Sequence, residues 1–274
     1  MRRTTIAGIA IAIALGVAAF AGVGSDNPDL GPPAAGGAAS TGPPAPVKGT
    51  IRIAAAPSLT RVMNQLADSF ELANPGTKVL RTFVSSPQIA AQVTNHIGNY
   101  DVVALDSAAT MTSLRDKNLV RPEVPLAGDT LAIVVAKGNP LGIHTLKDLA
   151  NGDRRVVLCA IEVPCGRLAT AVLAAAHVNV VPVERSTDGE DALAKVVNNE
   201  ADAAIVWSSE ASGSGGERVA IDAARQFRGA LAIAVARHPR RAALGEAFLS
   251  FVETHGQDAL RSFGFAAPVT STTF

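Results

Sequence analysis

The chain has 274 residues, rich in Ala, Val, Leu and Ile and poor in aromatics, and its 24 Lys and Arg balance its 24 Asp and Glu. That length holds one large domain or two medium ones with real cores. A net charge of zero excludes the basic field that grips nucleic acid or an anionic membrane surface. Any anion must therefore be held by local dipoles.

The N-terminus reads as an export segment. Arg2 and Arg3 precede an uncharged apolar run from Ile6 to about Val23, and Ala19-Phe20-Ala21 offers a small-x-small cleavage site. The run is also just long enough to span a bilayer, so residues 1–23 are either an export signal or an N-terminal anchor. Phe20-Ala21-Gly22 resembles the front of a lipoprotein box, but Val23 stands where the lipid-accepting Cys belongs. Residues 24–48 are Pro, Gly, Ala and Ser with almost no large apolar side chain, a composition expected of a disordered linker. The folded part is thus expected beyond the cytoplasmic membrane, anchored to its outer face or released into the periplasm or cell envelope. In that compartment Cys159 and Cys165, six apart, are expected to form a structural disulfide.

From residue 49 strands and helices alternate. Ile51–Ala56 reads as a strand, and Leu59, Val62, Met63, Leu66 and Phe70 then recur at helical spacing until Asn74-Pro75-Gly76 stops them. Lys78–Val84 is the next strand, followed by a helix carrying Ile89, Val93 and Ile97; Val102–Leu105 is a third strand. Thr130–Ala136 and Val156–Cys159 are strands, and a helix with Leu168 and Val172 follows the second. A strand near Val180–Val183 precedes a helix with Leu193, Val196 and Val197. Ala203–Trp207 and Ala230–Val235 are strands, and a helix with Leu244, Phe248, Phe251 and Val252 closes the chain. This rhythm predicts α/β layers around mostly parallel sheets.

The strand-to-helix turns carry the chemistry. Ser58 follows the first strand, and Ser86 the second, each at a predicted helix N-cap, with Pro87 behind Ser86. Val163-Pro164-Cys165-Gly166 and Thr187-Asp188-Gly189 introduce two further helices. Such turns lie at the carboxyl ends of the strands, where open α/β folds bind ligands. Each Ser taken alone is an ordinary cap. Several small, uncharged helix N-termini aimed at one point make an anion site without Lys or Arg.

In order and spacing these segments resemble the periplasmic molybdate-binding proteins of ABC transporters. Ala55-Ala56-Pro57-Ser58-Leu59-Thr60 is similar to that family's Ala-Ala-Ala-Ser-Leu-Thr, and Phe83-Val84-Ser85-Ser86 to its Phe-x-Ser-Ser. Tyr100–Asp106 resembles its Ala-Asp-Val segment, Val163–Gly166 its Val-Pro-Ala-Gly, and Ala203–Trp207 its Ala-Gly-Ile-Val-Tyr. Gly264-Phe265-Ala266-Ala267-Pro268 matches its C-terminal motif. The resemblance implies a two-lobed periplasmic-binding-protein fold, type II-like, with two hinge crossings. Residues 49–126 plus 229–274 would form lobe 1, and residues 127–228 lobe 2. It implies an extracytoplasmic solute-binding protein capturing molybdate or tungstate for an ABC importer. The ligand would be held by the hydroxyls of Ser58 and Ser86, the backbone N–H groups of Cys165 and Gly189, and Trp207, which stands where the family has Tyr. The alternative is the same fold binding sulfate or another small organic anion. No cofactor, metal ion or nucleic acid is expected. The expected partners are a membrane permease and its ATPase, and the protein is expected to be a monomer.

A site built from donors alone suits dianions such as molybdate, because the proton kept by phosphate would face other hydrogens. An enzyme is not expected. The sequence has no Gly-x-Ser-x-Gly elbow, and His96, His144, His177, His238 and His255 lack metal-ligand spacing.

Overall fold

The computed structural model describes residues 47–272. The expected export signal or anchor lies outside the described residues, as does nearly all of the expected linker.

Two five-stranded sheets organise the fold. The first runs in the order β2-β1-β3-β10-β4, built from β1 (Gly49–Ala55), β2 (Thr77–Phe83), β3 (Val102–Leu105), β4 (Val124–Asp129) and β10 (Gly229–Val235). The second runs β7-β6-β8-β5-β9, built from β5 (Leu131–Val135), β6 (Val156–Cys159), β7 (Glu184–Ser186), β8 (Ala203–Trp207) and β9 (Glu217–Ala220). The helices are α1 (Thr60–Ala73), α2 (Ser86–Thr94), α3 (Ala108–Asp116), α4 (Pro164–Ala175), α5 (Gly189–Val197), the short α6 (Ser208–Ala211) and α7 (Ala242–Ser262).

Both sheets are mixed, which corrects the expectation of mostly parallel sheets. β10 is antiparallel to β3 and β4, and β5 is antiparallel to β8 and β9. The reversed strand is in each case the first one after the chain crosses between sheets. β4 ends at Asp129 and β5 begins at Leu131, so the first crossing is a single residue, Thr130. A chain arriving from the ligand-facing edge can only run away from it, and the register records this. The start of β5 pairs with the end of β8 (Leu131 with Trp207), and the start of β10 with the end of β4 (Gly229 with Asp129). The carboxyl ends of β1, β2 and β3 are level in their sheet, as are those of β6 and β7 in the other.

Strand sequences explain the layering. β5, β8 and β10 are buried along their whole length and read as continuous apolar runs, because helices cover both faces of each sheet. One face of the first sheet packs under α1 and α7, where Phe70 meets Phe248 edge to face at 5.2 Å. Its other face packs Ala54, Val103 and Leu105 against Ile89 of α2 and Met111 of α3. In the second sheet Leu158 and Ile205 share a cluster with Leu168 and Val172 of α4, and Val157 and Val206 share one with Val196 of α5. The segment read as a strand at Val180–Val183 is irregular, and the strand begins one residue later, at Glu184.

Candidate functional site

The turns at the carboxyl ends of the strands build the site. After β1 the chain passes through a single 3-10 turn, Pro57–Leu59. Pro57 takes its first position, so Ser58 sits inside the turn rather than at a cap. Its hydroxyl is buried and has no hydrogen-bond partner, and neither does the Thr60 hydroxyl. Both residues line a cavity of about 220 Å³, which Glu190, Ser209 and Glu210 of the second sheet's helices line with them.

After β2 the N-cap is Ser85, not Ser86. The Gln88 side chain accepts the Ser85 N–H at 3.2 Å, closing the helix start. Ser86 therefore enters the first turn of α2, where it is fully buried and its hydroxyl is free to point inward. That hydroxyl donates to Asp106 Oδ1 at 2.5 Å and accepts the Asp106 N–H at 3.1 Å. Asp106 follows β3. Its neighbour in the same motif, Asp101, is a structural residue, accepting the backbone N–H groups of Arg52 and Arg241.

From the second sheet Trp207 closes β8 with its ring fully buried. The indole N–H donates to Asp106 Oδ2 at 3.2 Å, so one carboxylate joins donors from both sheets. A Cβ on Gly229 would lie 2.4 Å from the ring's Cη2; the glycine at the second crossing makes room for the indole. The Trp207 backbone N–H donates to Glu210 Oε2 at 3.2 Å. The same oxygen would stand 2.0 Å from a Cβ on Gly189, the first residue of α5. Glu210 thus lays its carboxylate on the N-terminus of that helix, where the dipole favours negative charge. Asp188 caps α5 by accepting the Asp191 N–H at 2.9 Å.

Cys165 lies in the first turn of α4 and is disulfide-bonded to Cys159 at the end of β6, with 6.0 Å between the two Cα atoms. A Cβ on Gly166 would meet the Ala160 carbonyl oxygen at 2.0 Å, so α4 can start this close to its strand only with glycine there. The link from α4 to the cluster is one of charge: Arg167 favours the ionised form of Asp106. Ser86, Gly189 and Trp207 are thus brought together around Asp106 and Glu210. Ser58 faces the adjoining cavity. Cys165 makes no side-chain hydrogen bond to the cluster.

The site is acidic as well as donor-rich, contrary to the donor-only expectation. Burial raises Asp106, against the opposing effects of the Ser86 hydroxyl, the Trp207 indole, its own backbone N–H and Arg167. Burial pushes Asp129 up to about 7, although the Ser209 hydroxyl and the Thr130 N–H bond its carboxylate. Burial, reinforced by the charges of Asp129, Asp106 and Asp188, raises Glu210 well above the usual carboxylate range. Glu210 was detectable in principle: an acid three residues past a strand end, in Trp207-Ser208-Ser209-Glu210, is a capping-box spacing. Asp129 carries no such signal, because its burial depends on a crossing that only the fold creates.

The comparisons agree with this architecture. Molybdate-binding protein ModA of Mycobacterium tuberculosis is 31% identical over 236 residues, covering 84% of this chain and 90% of that protein. The periplasmic molybdate-binding protein of Azotobacter vinelandii superposes with a TM-score of 0.69 at 18% identity, over 80% of this chain and 100% of that one. The sulfate-binding protein SubI of Mycobacterium tuberculosis superposes with a TM-score of 0.64 at 17% identity, over 80% of this chain and 86% of that one. Both superpositions establish the two-lobed fold. Since the model of the bacterial extracellular solute-binding proteins also matches residues 51–266, the chain belongs to that family.

Proposed function

We propose that this protein captures molybdate or tungstate outside the cytoplasmic membrane and delivers it to an ABC permease driven by an ATPase. The observation that carries the reading is the convergence of the Ser86 hydroxyl and the Trp207 indole N–H, from opposite sheets, on one buried carboxyl group. Donors that hold a carboxylate in this geometry suit an oxyanion. The unpartnered Ser58 hydroxyl beside them supports the reading, since a buried hydroxyl without a partner costs about 1–3 kcal/mol that a ligand oxygen would recover. The backbone N–H groups of Cys165 and Gly189 would complete the ligand shell from the first turns of α4 and α5. The ModA relative supports the choice of ligand.

The protein works by capture and release rather than by catalysis. The lobe boundary expected after residue 126 falls inside β4, whose residues 127–129 pair with β10, so residues 49–129 plus 229–272 would move as lobe 1 and residues 131–228 as lobe 2, with the crossings at Thr130 and just before Gly229. A ligand bridging Ser86 and Trp207 binds the closed arrangement better than the open one and so shifts the population towards it. The closed monomer would dock on the permease.

Thermal unfolding with molybdate, tungstate, sulfate and phosphate, each in excess, tests the assignment. A ligand at about 1,000 times its Kd adds roughly 4 kcal/mol of stability. A shift with molybdate and tungstate alone is expected. A shift with sulfate alone assigns the site to the sulfate alternative, and no shift with any of the four refutes the oxyanion reading.

A further inference from the structure

An anion seated on Ser86 and Trp207 cannot avoid Asp106. Ser86 Oγ lies 2.5 Å from Asp106 Oδ1, and Trp207 Nε1 lies 3.2 Å from Asp106 Oδ2. Any oxygen accepting from both donors stands in the immediate company of that carboxyl. Two anions side by side in a buried cleft repel unless a cation or a proton lies between them.

Among the described residues no cation bonds Asp106; Arg61 of α1 lines the adjoining cavity, where its guanidinium donates to the Ser212 carbonyl. Arg167, the cation acting on Asp106 from α4, is exposed and donates to the Glu162 carbonyl at 2.7 Å. Asp129 from β4 and Glu210 from α6 bring carboxylates, and Asp188 at the start of α5 adds its charge to Glu210. The donors facing Asp106 are neutral, from α2 and β8. A proton is the counter-charge that remains.

We propose that Asp106 is a ligand-site residue and that the oxyanion binds with one proton, held between the Asp106 carboxyl and an anion oxygen. The inference rests on the oxyanion reading of Ser86 and Trp207 given above. With a dianion such as molybdate, the proton comes from solvent and resides on Asp106, whose O–H then donates to the ligand. With an oxyanion that already carries a proton, Asp106 stays ionised and accepts it. Burial moves Asp106 towards the protonated form before any ligand arrives, which favours the first arrangement. The site therefore does not reject protonated oxyanions for want of an acceptor, and its choice among them falls to size.

Calorimetric titration of sodium molybdate into the full chain, in buffers of different ionisation enthalpy from about pH 6 to 10, tests this. Wherever Asp106 is ionised in the free protein, the wild type is expected to take up about one proton per molybdate, its affinity falling about tenfold per pH unit. Asp106→Asn, which presents N–H where the protonated acid presents O–H, should bind with no proton uptake and a flat pH profile. It should bind at least as tightly as wild type at pH 8. Molybdate binding by the wild type without proton uptake at any pH up to about 10 overturns the proposal, whether or not the variant folds. Undiminished uptake by the variant overturns it as well, assigning the proton to Asp129 or Glu210. No molybdate binding by either protein at any pH would refute the oxyanion reading itself, and this inference with it.

Discussion

Replacing Asp129 with Asn should remove a pH dependence that the fold builds into the crossing between its two sheets. Asp129 ends β4 and is 1% exposed; its Oδ1 accepts the Thr130 N–H at 2.8 Å, and its Oδ2 accepts the Ser209 hydroxyl at 2.5 Å. The carboxyl therefore ties the first sheet to α6 of the second, directly at the crossing. Burial lifts it from 3.8 to about 7. A carboxyl raised in the folded state favours folding while protonated, so its contribution is present below about pH 4 and is lost as pH rises through about 7. At 1.36 kcal/mol per unit, a shift of that size amounts to about 4 kcal/mol. Asn keeps the shape: its oxygen still accepts from Thr130, and its N–H can donate to the Ser209 hydroxyl once that hydroxyl turns. The Asp129 charge also raises Glu210, so removing it relieves a second acid in the same direction. Urea unfolding of wild type and Asp129→Asn from about pH 4 to 9 checks this. The variant should gain on wild type with rising pH, by about 4 kcal/mol in all. Parallel stability curves, or curves that converge as pH rises, would refute the reasoning.

Three further outcomes follow from the site. Ser58→Ala should leave the free protein as stable or slightly more so, because it deletes an unpartnered buried hydroxyl. It should weaken molybdate binding about 10- to 100-fold, the worth of a hydrogen bond to a charged group; melting with and without molybdate separates the two effects. Gly189→Ala places a methyl 2.0 Å from Glu210 Oε2 and should cost about 1–3 kcal/mol, read by urea unfolding, as the buried carboxylate is displaced from the start of α5. Reducing Cys159–Cys165 opens a loop with a sequence separation of 6, which chain entropy values at about 2 kcal/mol. The expected loss of about 4–8 °C in Tm, checked by melting with and without reductant, should be absent in the Cys159→Ser/Cys165→Ser variant.

The fold was legible where pattern is local. The apolar runs at Ile51, Val102, Val156, Ala203 and Ala230 all became strands, since buried strands declare themselves by continuous β-branched and small apolar residues. β4 and β9 were not legible: Pro125 and Gly128 interrupt one, and Glu217 and Arg218 lead the other. Their strand character comes from pairing with β10 and β5, which are distant in sequence. In the site, Ser86 was singled out from its turn after the second strand, and Trp207 through the family resemblance. The exact cap at Ser85 was not, because two adjacent serines compete for it and Gln88 decides. The acids escaped altogether. Asp101 and Asp106 sit in one motif with identical chemistry, yet the first bonds backbone amides and the second bonds the side chains of Ser86 and Trp207 from the two sheets.

The two departures from the resembled motifs also acquire physical meaning together. Pro57 removes a backbone donor beside Ser58 but starts the 3-10 turn that buries the Ser58 hydroxyl without a partner. Trp207 is larger than the Tyr it replaces, and the extra ring is accommodated by Gly229, where any side chain would strike it. Gly229 also opens β10 at the second crossing, paired with Asp129 at the first. The indole therefore packs against the start of β10 at the second crossing, while its N–H reaches Asp106 beyond the end of β3. A Cβ at position 229 would strike the ring, so the close approach of β10 to the indole requires glycine there.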